Sequence, residues 1–196
     1  MAKLNVEWTK EQVEFENGQP TLYFLTSADP EFMGEMKVAR KSILADENVA
    51  IATKFFNCVE IDGDEFGTKH PLYEKLKGRS FPRFVVIDSQ GAVKGKLEGK
   101  LGPKKLYKIL KKGAQSDYKV KLDKVVKDYR KMLDELDKID QQKKVLANKE
   151  RNQGDKAARK IAKDRDALAL REKKAAEKEV KLLGAELKNP PAKPSS

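Results

Sequence analysis

The chain has 196 residues, of which 39% are hydrophobic and 37% charged, and 42 lysines and arginines against 31 acids leave it at +11. That charged share is well above the globular norm of about a quarter, and no stretch approaches the roughly 18 apolar residues of a membrane span. The single cysteine, Cys58, excludes an intramolecular disulfide and any chemistry that closes two thiols of one chain on each other.

The charge is unevenly placed. Residues 1–116 carry 19 basic and 16 acidic side chains, and the remainder carries 23 and 15, with Tyr118 and Tyr129 its only aromatics. The first part reads as globular and the second as long solvated helix. Met1-Ala2-Lys3-Leu4 lacks the basic-then-apolar pattern of a secretory leader. A complete chain is expected to be cytoplasmic, and a mature form whose leader was removed periplasmic or secreted.

Leu4-Asn5-Val6-Glu7-Trp8 alternates and predicts a short strand. Thr9 opens a short helical stretch to about Phe15, and Asn17-Gly18-Gln19-Pro20 is a turn. Thr21 to Ser27 is apolar and aromatic between turn residues and reads as a buried strand. Asp29-Pro30 pairs an N-cap acid with proline at the first helical position, starting a helix that runs through Met33, Met36, Val38 and Ile43 to about Leu44. Asp46 caps a second helix over 47–54. A strand follows over 55–62, and Asp62-Gly63-Asp64 turns it. The pattern then gives a helix over 68–77 stopped by Gly78, and a β-hairpin of 83–88 and 92–98 around Ser89-Gln90-Gly91. Gly102-Pro103 opens a last helix, with Leu106, Ile109 and Leu110 on one face, ending at Gly113. The order β-α-β-α-β-α-β-β-α demands helices on both faces of a central sheet.

Two stretches carry a family resemblance: Asp46, Val49, Phe55, Phe56, Val59, Ile61 and Asp62, and the run Ser80-Phe81-Pro82-Arg83-Phe84-Val85-Val86-Ile87-Asp88-Ser89-Gln90-Gly91. In order and spacing they resemble bacterial proteins of the thioredoxin-like superfamily over about residues 3–113. The resemblance implies a three-layer α/β/α sandwich with a mixed sheet. It also implies a cis Phe81–Pro82 bond, the family's proline that faces its two redox cysteines. Those cysteines are absent. Counting forward from the strand puts their positions at Asp29 and Phe32. Counting back from Asp46 and Asp62 puts them at Met33 and Met36, the favoured placement because it needs no gap. Neither pair supplies a thiol, so dithiol oxidoreductase activity is not expected.

Other chemistries are thinly supported. Cys58 sits in a predicted central strand, where cysteine behaves as a small hydrophobe. Met33 and Met36 lie one helical turn apart and offer soft thioethers to Cu(I), but the next position in the row is Ala39 and the only histidine, His70, belongs to another part of the sheet order. Core filling is the commoner use of helical methionine. Asp29, Glu31 and Glu35 complement a helix dipole. Asp62-Gly63-Asp64-Glu65 is a fragment of a calcium loop without the twelve-residue pattern, and reads as a turn. There is no glycine loop to cradle phosphate and no Ser/His/Asp set, so no cofactor or metal is called for.

Beyond Ser116-Asp117, read as a helix cap, apolar residues alternate at spacings of three and four: Leu122, Val125, Tyr129, Met132, Leu136 and Ile139, then Leu146 after a polar Lys143. This is a coiled-coil seam, with acid-before-base pairs Asp117/Lys121, Asp123/Lys127, Asp134/Lys138 and Asp140/Lys144 on its outer face. Asn152-Gln153-Gly154-Asp155 breaks it. A second helix then runs to about Leu187, with a seven-residue stripe at Ile161/Ala162, Leu168/Ala169, Ala175/Ala176 and Leu182/Leu183. A short break between two long helices predicts an antiparallel hairpin. The organisation expected is a thioredoxin-like domain over 1–115, a helical hairpin over 116–188, and a flexible Pro-rich tail over 189–196. The excess of base raises nucleic acid as a partner, but acids share the same faces and stacking aromatics are nearly absent, so a solvated helix surface is the better reading. The function expected is that of a non-enzymatic module binding a protein or peptide. Phe32, Met33, Met36, Phe81 and Pro82 would converge at one end of the sheet as its contact edge, and the basic hairpin would support self-association or docking. The alternative from another class is an oxidoreductase using Cys58 alone or with a partner's thiol.

Overall fold

The computed structural model describes residues 6–10, 18–99, 101–152, 158–184 and 188. The chain divides into two compact units within its longest helix, one reaching to Val126 and the other running from Lys127 to Gly184.

The first unit is built on a four-stranded sheet: β1 (Thr21–Thr26), β2 (Asn57–Asp62), β3 (Arg83–Ile87) and β4 (Val93–Glu98), in the order β2-β1-β3-β4. β1 pairs parallel with β2, placing Tyr23 opposite Val59, and antiparallel with β3, placing Phe24 opposite Phe84. β3 and β4 are antiparallel, with an irregularity between Val86 and Ile87. Side chains alternate across a strand, so the sheet has two different faces. Tyr23, Leu25, Val59, Val85 and Ile87 form one buried cluster with Leu72 and Leu76. On the other face the Phe24 and Phe84 rings stack with centroids 4.7 Å apart. Each such buried side chain contributes about 1.5–3 kcal/mol through removal from water.

The helix after β1 changes pitch along its length. Pro30–Phe32 is a 3-10 turn, α1 spans Met33–Val38, and Ala39–Ile43 widens into a π turn. Asp29 caps its start by accepting from the Glu31 amide at 2.8 Å. α2 (Glu47–Thr53) begins at Asp46, whose carboxylate accepts from Asn48 and Val49. α4 (Pro103–Asp117) lies against the second sheet face. Its closeness is set by two glycines: a Cβ on Gly113 would strike Val86 Cγ1, and one on Gly95 would sit 2.6 Å from Ile109 Cγ2.

Several boundaries differ from those the sequence predicts. Of the first predicted strand, Leu4 and Asn5 lie outside the described residues and 6–8 form no strand. Thr9 makes a lone parallel bridge to Val59 along the outer edge of β2. Thr9 and Lys10 are not helical, and the rest of that predicted helix lies outside the described residues. β2 starts at Asn57, two residues late, because Phe55 and Phe56 close hydrogen-bonded turns onto Ala52 and Thr53. The helix expected over 68–77 is the single turn α3 (Tyr73–Leu76). Pro71 lacks an N–H and disfavours helix at the residue before it, and His70 Nδ1 accepts from the Leu72 amide at 3.1 Å instead.

Ser116-Asp117 does not cap the next helix. Gly113 does not stop α4, and Asp117 is its last residue rather than the cap of the next helix. The Asp117 carboxylate is buried and accepts from the Ser89 amide at 3.0 Å and the Ser89 hydroxyl at 2.6 Å. The next helix, α5 (Leu122–Asn152), begins five residues later. Lys121 therefore precedes it and the Asp117/Lys121 pair does not form, while Asp123 turns to Lys111 at 2.5 Å and to the Tyr107 hydroxyl at 3.0 Å.

In the second unit, α5 runs antiparallel to α6 (Ala158–Leu183). The direction follows from side-chain bonds whose positions rise on one helix as they fall on the other: the Tyr129 hydroxyl to Glu179, Lys143 to Glu172 at 2.7 Å, and Arg165 to Glu150 at 2.5 Å. Tyr129, Met132 and Ile139 are buried from α5, and Ile161, Leu168 and Ala175 at a seven-residue stride from α6. Lys143, which interrupts the α5 seam, is thus used in an interhelical ion pair. The predicted cap Asp155, the predicted helix end at Leu187 and the tail 189–196 lie outside the described residues.

Candidate functional site

The predicted edge residues fall into two adjoining groups. The Phe81–Pro82 peptide bond is cis. Phe32 reaches the Phe81 ring edge-on, with centroids 5.6 Å apart. Edge-to-face geometry puts the positive rim of one ring on the negative face of the other. The Arg83 guanidinium also lies over the Phe81 ring, 4.9 Å from its centroid. Both rings are half-buried and Pro82 is buried.

Met33 and Met36 line a shallow depression of about 380 Å³ with Thr26, Ser27, Ala28, Arg40 and Asp62. Their exposures differ: Met33 is 62% exposed and Met36 only 9%. One turn of helix therefore holds one thioether in solvent and the other against the core. Among the described residues no group of three or more His, Cys, Asp or Glu side chains could hold a metal ion.

Two loops fix this end of the sheet. Asp64 accepts from Ser27 Oγ and from the Ala28 amide, both at 2.7 Å. The Ala28 amide, followed by Ser27 Oγ, holds its carboxyl below the usual carboxylate range. The Gly63 amide donates to Thr26 O at 2.7 Å. A Cβ on Gly63 would enter the Phe81 ring and sit 2.6 Å from Thr26 O. The Asp62-Gly63-Asp64 turn thus ties the end of β2 to the segment that launches the Met33 helix, and leaves Phe81 its place.

Arg40, not among the residues expected at this edge, also lines the depression. Its guanidinium lies 5.2 Å from the Phe24 ring centroid and pairs with Glu60 at 2.7 Å. The signal available was spacing, since Arg40 follows Met36 by four residues and shares its side of a helix. Its partner on β2 leaves no local trace.

Cys58 is 5% exposed, and burial pushes its thiol up to about 12. Its sulfur lies 3.5 Å from Thr53 O. The thiolate is the reactive form, so this environment opposes reactivity both by access and by protonation. Cys58 does not join the edge residues. Neither does His70, whose ring packs on Phe66 with centroids 4.8 Å apart.

No family model matches the chain, and neither does any curated protein sequence. Solved structures similar to part of it include DsbH oxidoreductase, 22% identical over 55% of this chain and 85% of that one, with a TM-score of 0.42. A thioredoxin from Thermus thermophilus is 20% identical over 50% of this chain and 79% of its own, at 0.38. An uncharacterized thioredoxin-like protein from Clostridium perfringens is 16% identical over 55% and 80%, also at 0.38. The mixed sheet β2-β1-β3-β4, parallel in its first pair, closed by an antiparallel hairpin and flanked by helices, is a thioredoxin-like fold, and a long helical pair is appended to it.

Proposed function

We propose that the chain is a thioredoxin-like binding module that works without dithiol exchange and holds an extended peptide at the edge formed by Phe32, Met33, Met36, Phe81 and Pro82. The observation that carries this reading is the Phe32–Phe81 pair beside the exposed Met33. A half-buried aromatic ledge next to a flexible thioether suits apolar side chains of varied shape, and the backbone beside the cis Pro82 would present polar groups to an extended segment. The hairpin supplies a second contact, for self-association or docking to a larger partner.

Dithiol exchange needs two sulfurs, and the sequence holds one cysteine. A single-thiol mechanism would need Cys58 reached and ionised, and burial works against both. A Cu(I) site would have only the thioethers of Met33 and Met36, since the next position in that row is Ala39 and supplies no soft ligand.

The test compares proteins retained by the wild type with those retained by a Met33→Asp/Phe81→Ala variant of matched melting temperature. A partner set lost only by the variant supports the edge, and identical sets would refute it. Insulin reduction by the wild type, abolished in Cys58→Ser, would replace this reading with the thiol one.

A further inference from the structure

The α5–α6 pair carries a groove of about 530 Å³ that its own two helices leave open. Its apolar lining is Val145 and Leu146 from α5 and Ala167 and Leu168 from α6. Val145 is 52% exposed there. The lining residues of α5 fall at 138, 141, 142, 145, 146 and 149, and those of α6 at 164, 167, 168 and 171. That is the three-and-four spacing of one face on each helix, and two such faces side by side form the seat of a third helix.

The rim is charged, with Lys138, Lys149 and Arg171 set against Asp164. Arg171 is already committed to Glu135 at 2.5 Å and Gln142 at 2.7 Å. Neither Lys138, expected to pair with Asp134, nor Lys149 makes an ion pair among the described residues. With Lys143–Glu172, the Arg171 bonds hold the two walls together from within, so the groove keeps its walls without an occupant.

We infer that this groove docks an amphipathic helix of a different protein, one with acidic residues flanking its apolar stripe. Charge complementarity selects the occupant. A second copy of this chain would bring helices from a segment with 23 basic and 15 acidic residues, setting like charges against Lys138 and Lys149. An acidic helix supplies what those lysines lack and buries Val145. The inference rests on the docking half of the proposed function and is independent of the Phe32–Phe81 edge.

The experiment is fluorescence anisotropy of two synthetic helices of about 20 residues titrated with the full chain. They share one leucine stripe and carry glutamate or lysine on its flanks. The glutamate peptide should bind at least about tenfold more tightly and weaken with added salt. Lys138→Glu/Lys149→Glu should reverse the preference, and Val145→Asp should weaken both peptides while circular dichroism shows the helices intact. Equal affinities, no binding by either peptide, or a preference unmoved by charge reversal would overturn the inference. So would a sedimenting dimer dispersed by Val145→Asp, which would make a second copy the occupant. The edge variant Met33→Asp/Phe81→Ala should bind the glutamate peptide as the wild type does, which separates failure of the edge from failure of the groove.

Discussion

Replacing Asp117 with alanine removes the acceptor for two buried donors at once, the Ser89 amide and hydroxyl. Hydrogen bonds to a charged group contribute about 1.5–3 kcal/mol each, and a buried donor left unpaired costs about 1–3 kcal/mol. Against this, a carboxylate at the C-terminal end of α4 opposes the helix dipole, so its removal returns about 0.3–1 kcal/mol. The net loss expected is about 2–6 kcal/mol, a fall in melting temperature of roughly 4–24 °C for a chain of this size. Asp117→Asn keeps one acceptor oxygen and should lose about half as much. Urea unfolding followed by the fluorescence of Trp8, the only tryptophan, reads the unit concerned, since its ring lies 5.3 Å from Phe24 at the sheet. A cycle with Ser89→Ala should give a coupling of at least about 1 kcal/mol. An Asp117→Ala protein within about 0.5 kcal/mol of wild type, or a coupling near zero, would refute the claim that this carboxylate locks α4 to the β3–β4 turn.

Further outcomes follow from the same packing. Gly113→Ala gains about 1 kcal/mol of helix propensity but drives a Cβ into Val86 and to 3.2 Å from Phe56 Cε1. Overpacking costs about 1–3 kcal/mol, so the variant should melt below wild type, and a rise would show that the sheet yields. Cys58 should resist thiol reagents in the native protein at pH 8 and react at once in denaturant. Burial raises it from an ordinary 9.0 to about 12, and Tyr23 from 10.0 to about 12. Because the folded values are the higher ones, stability is fully present below about pH 9 and is lost as pH rises toward 12. Cys58→Ala should flatten the early part of that decline in alkaline melts. Gly63→Ala should displace Phe81 and Thr26, seen as faster hydrogen exchange at Ala28 and a changed Phe32–Phe81 ring environment by NMR, with β4 unaffected.

What the sequence disclosed depended on how local the physics was. Asp29 and Asp46 are helix caps whose acceptors sit two or three residues from their donors, so composition alone located both helix starts. The same rule misread Asp117, because a serine followed by an aspartate is also what a buried tie to residue 89 looks like, and the partner lies 28 positions away. Gly113 failed for a related reason: glycine ends helices on propensity, but here it is required by the approach of α4 to Val86. The α5 seam was legible as spacing, while the meaning of Lys143 within it waited on Glu172 from the other arm. At the candidate edge, Phe32 and Phe81 could be placed at one end of the sheet from the element order. The Asp64 clamp and the Arg40–Glu60 pair could not, since each joins two loops or elements that no periodicity connects.

The seven-residue stride of Ile161, Leu168 and Ala175 has a bearing on how such a chain can change over generations. A helix turns by about 100° per residue, so inserting one residue in either arm rotates everything beyond it out of line. Seven added to each arm bring the stripe nearly back to its starting face. The appendage can therefore lengthen or shorten in matched blocks of seven while the sheet unit stays untouched, making its reach an evolutionary variable separable from the chemistry of the fold that carries it.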